Sequence, residues 1–153
     1  MGKQFTLSAS DSFKLGAYRA DPTGTPKGGI VVIQEIFGVN QHIRKVCDDF
    51  AKEGYAAVAP ALFDRTQKDF QSGYTPPEIE KARTFVAKPD WDAMMRDTEA
   101  LVQHVAQTVL DSSSIPCLTQ AVDVSAPWER IRVSEAFERY AGVAMDDLVH
   151  DEE

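Results

Sequence analysis

The sequence predicts an α/β fold built on a parallel βαβ unit, with a hairpin ahead of it and helices flanking the sheet. Three observations carry that expectation. The runs "GIVVI" (residues 29–33) and "YAAVAPALF" (55–63) are apolar without polar alternation, as strands covered on both faces are. Between them Ile43, Val46, Cys47, Phe50 and Ala51 recur at helical spacing. The connections are short, which sets the two strands parallel with the helix as crossover.

The elements follow in order. "KQFTLSA" (3–9) and "FKLGAYRA" (13–20) read as strands joined through the polar turn residues of "SASDS", hence a hairpin. "DPTGTPKGG" (21–29) is a loop by its proline and glycine content. After "GIVVI" the chain turns on a glycine in "QEIFG" (34–38). The helix that follows has Arg44, Lys45, Asp48 and Asp49 on its wetter side, and Gly54 closes it. Pro60 stops the second strand, and residues 64–76 form a polar loop. A short helix runs from Pro77 to Val86, with proline at its first position. Asp90 caps the clearest helix. Its apolar face is Trp91, Met94, Met95, Leu101, Val102, Val105 and Val109, and Arg96, Asp97, Glu99 and Gln103 are expected on the wet face.

"DSSSIP" (111–116) breaks that pattern. Beyond it "LTQAVDV" reads as a short strand and "SAPW" as a turn. "SEAFERYAG" is a helix with Ala136, Phe137 and Tyr140 on its apolar side and Gly142 at its end. "DDLVHDEE" (146–153) is expected to fray.

Composition narrows the function classes. With 43% hydrophobic and 26% charged residues, the chain is that of a soluble globular protein. No run approaches the roughly 20 apolar residues of a membrane span, so no membrane partner is expected. The N-terminus has no long apolar core, so no secretory signal is expected, and it completes no myristoylation signature. The two cysteines, Cys47 and Cys117, suggest a reduced, cytoplasmic protein. His42, His104 and His150 lie too far apart for a zinc motif, and no metal or cofactor is expected. The net charge of −8 argues against nucleic acid. Charge is uneven: residues 1–110 hold 14 acids and 13 bases, net −1, and residues 111–153 hold 10 acids and 3 bases, net −7. The shift suggests two regions, 1–110 an α/β domain and 111–153 an acidic tail.

"GIVVIQEIFGVNQHIRKVCDDFAKEGYAAVAPALFDR" (29–65), with "QEIFG" at its centre, resembles the dienelactone hydrolase family of α/β-hydrolases. The resemblance covers residues 1 to about 108, and "DWDAMMRDTEALVQHV" (90–105) falls where the family places the helix before its nucleophile strand. It implies a truncated α/β-hydrolase fold and hydrolysis of small-molecule esters or lactones. It also implies that Glu35 is the acid that helps set the nucleophile's ionisation, and that the Ile36 N–H is an oxyanion donor. A backbone amide fixed at a turn above the C-terminal edge of a sheet suits that task.

The rest of the machinery is not found. A nucleophile elbow needs Ser or Cys two residues after a glycine. The nine glycines are followed at that distance by Gln4, Tyr18, Pro26, Ile30, Val31, Asn40, Ala56, Thr75 and Ala144. Cys47 sits on an apolar stripe and reads as core. Cys117 has no basic neighbour in sequence to activate it. Ser112 to Ser114 read as a helix-ending cluster. His104 reads as a half-exposed helix residue and His150 as a solvated group in an acidic tail.

"PWER" and "EAFERYAG" within "VDVSAPWERIRVSEAFERYAGV" (122–143) resemble an internal segment of elongation factor P–lysine ligases, relatives of lysyl-tRNA synthetase. None of that family's adenylate-forming motifs accompanies them. Residues 109–116 therefore read as a junction between two gene segments. The expectation is a hydrolase by descent, inactive as this chain alone, with a non-catalytic fragment or binding module as the alternative and a lysine-ligase remnant behind it. The last strand present should expose a pairing edge, giving a homodimer or marginal stability.

Overall fold

The structure, a computed structural model, describes residues 2–117, 119–125 and 127–144. Four strands form one mixed sheet. β1 (Lys3–Ser8) and β2 (Lys14–Ala20) are the expected hairpin, β3 is Gly29–Val31, and β4 is Ala56–Pro60. Their order is β1-β2-β4-β3, with β2 antiparallel to both neighbours and β3 parallel to β4. The βαβ unit is thus present, and the hairpin extends the same sheet through β2.

α1 (Gln41–Lys52) is the crossover between β3 and β4. Asn40 caps it by accepting from the Ile43 N–H at 3.2 Å. Past its end Gly54 takes φ +96°, the left-handed conformation that glycine supplies without strain. α2 (Pro76–Val86) begins in a capping box, the Glu78 carboxylate accepting from both the Thr75 N–H and its hydroxyl. α3 (Trp91–Leu110) is capped by Asp90, which accepts from the Ala93 N–H at 2.9 Å.

The sheet is covered on both faces. On one, Leu7, Leu15, Ala17 and Val58 pack with Leu101 and Val105 of α3. On the other, Tyr18, Ala20, Ala57 and Ala59 pack with Ile43 and Cys47 of α1. The alternation within β2 and β4 is the period-2 geometry of a strand. A third cluster, Phe63, Phe70 and Ala82 with Ile36, Phe37, Phe85 and Met94, lies where α2 and α3 meet the turn after β3. Burying a leucine as fully as Leu101 stabilises by about 1.5–3 kcal/mol.

The structure corrects three expectations. β4 is buried throughout, but β3 is the edge of the sheet; its residues are exposed or half-buried, and Ile33 is 49% exposed. Phe50 is 36% exposed instead of core. The expected wet face of α3 contains two of the most buried acids, Asp97 at 0% and Glu99 at 3% exposure, whereas Trp91 and Met95 are exposed. The reason is that α3 is covered on more than one side. Arg65, from the loop after β4, clasps Asp97 with Nε to Oδ2 at 2.9 Å and Nη2 to Oδ1 at 2.7 Å. It also bonds Asp11 in the β1–β2 turn at 2.9 and 3.0 Å, and its guanidinium lies 4.2 Å over the Phe13 ring. Glu99 is met by Arg130 of the tail at 2.7 Å.

After α3, Asp111 adopts φ 49° and the chain forms a second sheet. β5 (Ser114–Cys117) and β6 (Gln120–Asp123) pair antiparallel, so the expected strand is present and "DSSSIP" contributes its partner. α4 (Val133–Ala141) ends at Gly142 as expected and buries none of its residues. The reading of 125–128 as a turn includes Ala126, and the expected frayed end with His150 spans 146–153; both fall outside the described residues.

Candidate active-site corner after β3

The turn Glu35–Gly38 lies at the C-terminal end of β3. Hydrogen bonding carries the strand one residue past its formal end, the Val32 N–H donating to the Val58 carbonyl at 2.8 Å. The side chain of Gln34 accepts from the Leu62 N–H at 3.0 Å, which ties the start of the turn to the end of β4. The Gly38 N–H then donates to the Glu35 carbonyl at 3.3 Å, closing the turn.

Glycine is required at the last position. Gly38 has φ +73°, and a Cβ there would overlap the Phe70 carbonyl oxygen. The segment after that residue holds the turn from outside, since the Ser72 N–H donates to the Phe37 carbonyl at 3.0 Å and Gly38 bridges Gln71. The side chains of Ile36 and Phe37 anchor it in the third apolar cluster, and the Phe37 ring packs against Tyr74 with centroids 4.6 Å apart. The peptide of Ile36 is therefore held from both ends. Among the described residues its N–H donates to no acceptor. A fixed, unspent amide at a sheet's C-terminal edge can stabilise a developing negative charge without reorganising.

Glu35 is exposed, and its carboxylate has no ion pair or side-chain hydrogen bond among the described residues. The other sequence candidates lie elsewhere. Cys47 is fully buried in the α1 cluster, where burial, with the charge of Asp48 adding to it, pushes its thiol up to about 11. His104 stacks on Phe5 with centroids 4.9 Å apart and faces Arg19, whose Nη1 lies 3.5 Å from its Nε2. Burial, then the Arg19 charge, lower its pKa below the ordinary imidazole value. His42 is exposed on the first turn of α1. The backbone of Cys117 pairs with Gln120 in the tail hairpin. No described residue brings a nucleophile and a base together at the corner.

Two clefts lie beside it without including Glu35 or Ile36. One of about 940 Å³ is lined by Tyr18, Asn40, His42, Arg44, Asp48 and Tyr74, among others. Another of about 280 Å³ runs along β2 and residues 68–71. Among the described residues no group of three or more His, Cys, Asp or Glu side chains could hold a metal ion, and no helix is long and apolar enough to cross a membrane. The turn at Gly38 is legible in "QEIFG", whereas the Gln34 tie to Leu62 has no signal in the sequence, its partner lying 28 residues away.

Comparison with known proteins bears on this corner. Residues 15–115 match the dienelactone hydrolase family. A "Putative carboxymethylenebutenolidase" of Synechocystis sp. is 41% identical over 101 residues, 65% of this chain and 41% of that protein. A protein of the same name from Escherichia coli (strain K12) is 44% identical over 63 residues, 40% of this chain and 23% of the relative. The crystal structure of a "Putative Dienelactone Hydrolase" from Klebsiella pneumoniae subsp. pneumoniae MGH 78578 shares 30% identity at a TM-score of 0.48, over 72% of this chain and 45% of that one. The match thus spans less than half the length of each of these relatives. With two thirds of its residues under one family description, and the Glu35–Gly38 corner inside that stretch, the chain belongs to the dienelactone hydrolase family.

Proposed function

We propose that residues 1–110 are a partial hydrolase domain carrying the oxyanion-binding half of an ester- or lactone-hydrolysing site. In it the Ile36 N–H faces the carbonyl oxygen of the substrate and Glu35 is the acid beside it. The observation that carries this reading is the unspent Ile36 amide, held in a turn closed at Gly38 and clamped by residues 70–72. Membership of the family supports the substrate class, small carboxylic esters and lactones, and the names of the curated relatives point the same way. The protein is a soluble, cytoplasmic one on this reading.

Hydrolysis also needs a nucleophile and a base, and the described residues set neither at the corner. The 153-residue chain alone is therefore inactive. The tail from residue 111, with its ligase-like segment, contributes no chemistry, and the end of the family match at residue 115 supports a junction there. Hydrolysis of p-nitrophenyl acetate, with and without a thiol-blocking reagent, tests this. Turnover at the buffer rate is expected in both arms. Saturable turnover lost on thiol blocking would place a working cysteine at the corner and overturn the reading. Lysine-dependent ATP–pyrophosphate exchange is expected to be absent.

A further inference from the structure

We propose that Asp64 is the positioning residue of the corner: its carboxylate, anchored on β2, fixes the loop that holds the Ile36 amide in place. For its catalytic meaning this rests on the reading of that amide as an oxyanion donor. Asp64 lies in the loop after β4 and is 8% exposed. No cation pairs with it among the described residues, and both its oxygens face backbone instead. Oδ2 accepts from the Gly16 N–H at 2.7 Å, and Oδ1 accepts from the Asp69 N–H at 2.8 Å. A carboxylate acceptor makes both bonds stronger than those between neutral groups.

The first bond ties Asp64 to the sheet. Gly16 belongs to β2, where it pairs with Thr6 of β1, and its carbonyl accepts from the Ala61 N–H at 2.8 Å. Glycine leaves the carboxylate room for this approach, since a Cβ at residue 16 would stand 3.1 Å from Oδ2. The second bond acts on a backbone that needs holding. Asp69 has φ 56°, a left-handed conformation uncommon for a residue with a side chain. Among the described residues Asp64 is the only hydrogen-bond partner of the Asp69 backbone.

From Asp69 the hold passes to the corner through the next three residues. The Phe70 carbonyl oxygen is the atom that a Cβ at Gly38 would strike, Gln71 bridges Gly38, and the Ser72 N–H donates to the Phe37 carbonyl. The rings of Phe63 and Phe85 pack on the Phe70 ring, with centroids 5.9 and 4.0 Å away, and fix its side chain. The direction of its backbone follows from the angle at Asp69. An oxyanion donor acts without reorganising only while its direction is fixed, and Asp64 transmits the rigidity of the sheet to it. Asp64 itself touches no reacting atom.

Amide hydrogen exchange followed by NMR on the 153-residue chain tests this, because it reads local opening at single amides without any turnover. Asp64→Asn keeps the size of the side chain but offers one carbonyl oxygen to two N–H donors. It should lower the protection of Gly38 and Ser72 about tenfold relative to Val58 and Leu101 in the core, and shift the Ile36 amide resonance. Asp69→Val leaves Asp64 in place but sets a β-branched residue at φ 56°, and should loosen the same two amides. If Asp64→Asn does not fold, Asp69→Val decides. Equal loss at all four amides, or unchanged protection at Gly38 and Ser72 in a folded variant, would overturn the proposal. Failure of the hydrolase reading would show in the ester assay and leave these exchange rates as they are, so the two are separable.

Discussion

Helices α3 and α4 are both amphipathic, yet α3 buries Leu101 completely and α4 buries nothing. α3 lies on a sheet that presents Leu15, Ala17 and Val58 to it, and its buried acids are met by arginines. α4 has Val133, Phe137 and Tyr140 at 66, 41 and 70% exposure, spaced for one face that no apolar element among the described residues covers. Both patterns are visible in the sequence, but an amphipathic stripe is only an offer of burial. Tertiary packing supplies most of a helix's stability, and α3 has a packing partner that α4 lacks among the described residues.

Replacing Arg65 should break that contrast most. The side chain of Asp97 is 1% exposed, and its cation is Arg65. Arg65→Met leaves a buried carboxylate unpaired, which typically costs about 3–5 kcal/mol. It also removes both Arg65 bonds to Asp11 in the β1–β2 turn, leaving that carboxylate only Arg96 Nε at 3.5 Å. Urea denaturation should show the loss; an Arg65→Met variant as stable as the parent would mean the clasp contributes nothing. Gly29→Ala comes next. Its Cβ would overlap Val105 Cγ1 where α3 crosses β3, and overpacking of this kind costs about 1–3 kcal/mol. A wild-type melting temperature would show that α3 and β3 are not in close contact.

Arg130→Ala sharpens the comparison from the other side. Glu99 is 4% exposed at its side chain, but Arg130 is 37% exposed, so solvent weakens the pair and the expected loss is about 1 kcal/mol. The diagnostic result is local. Limited proteolysis between residues 119 and 144 should accelerate while cleavage within the sheet does not. Uniform acceleration would mean that the tail and the sheet unfold together.

What the sequence disclosed follows from the range of the interactions involved. The hairpin, the βαβ unit and the cap at Asp90 depend on patterns within short stretches of chain, and local patterning reveals them. Asp97 and Glu99 looked solvent-facing because their partners lie 32 and 31 residues away in the chain, beyond any helical periodicity. β3 has the composition of an interior strand and occupies an edge, because composition records what a strand tolerates and not how many neighbours it has. At the corner, "QEIFG" marks the turn that holds Glu35 and Ile36. The clamp by residues 70–72 depends on a loop whose sequence has no periodic signal at all.

The smallest effect should come from His104, at the seam between the two regions. Its cleft is lined by Thr6 and Ser8 of β1, by Gln103 and Gln107 of α3, and by Ser113 and Ser125 of the tail. The charged group facing it is Arg19 of β2. An arginine can only donate, so its nearness at 3.5 Å favours the neutral ring over the imidazolium. Burial and that charge lower the imidazole pKa below 6.5, so between the folded value and 6.5 the unfolded chain binds more protons. The stability His104 contributes is thus present above about pH 6.5 and is lost as the pH falls through its folded pKa. Asp11 titrates in a separate window, its carboxyl held near 2 chiefly by the hydrogen bonds from Arg65, so its contribution persists until far stronger acid. Melting temperatures at about pH 7.5 and 5.5 should therefore fall more for the wild type than for His104→Phe, which keeps the stack on Phe5 and removes the proton site. Equal falls would show that protonation of His104 costs the seam nothing.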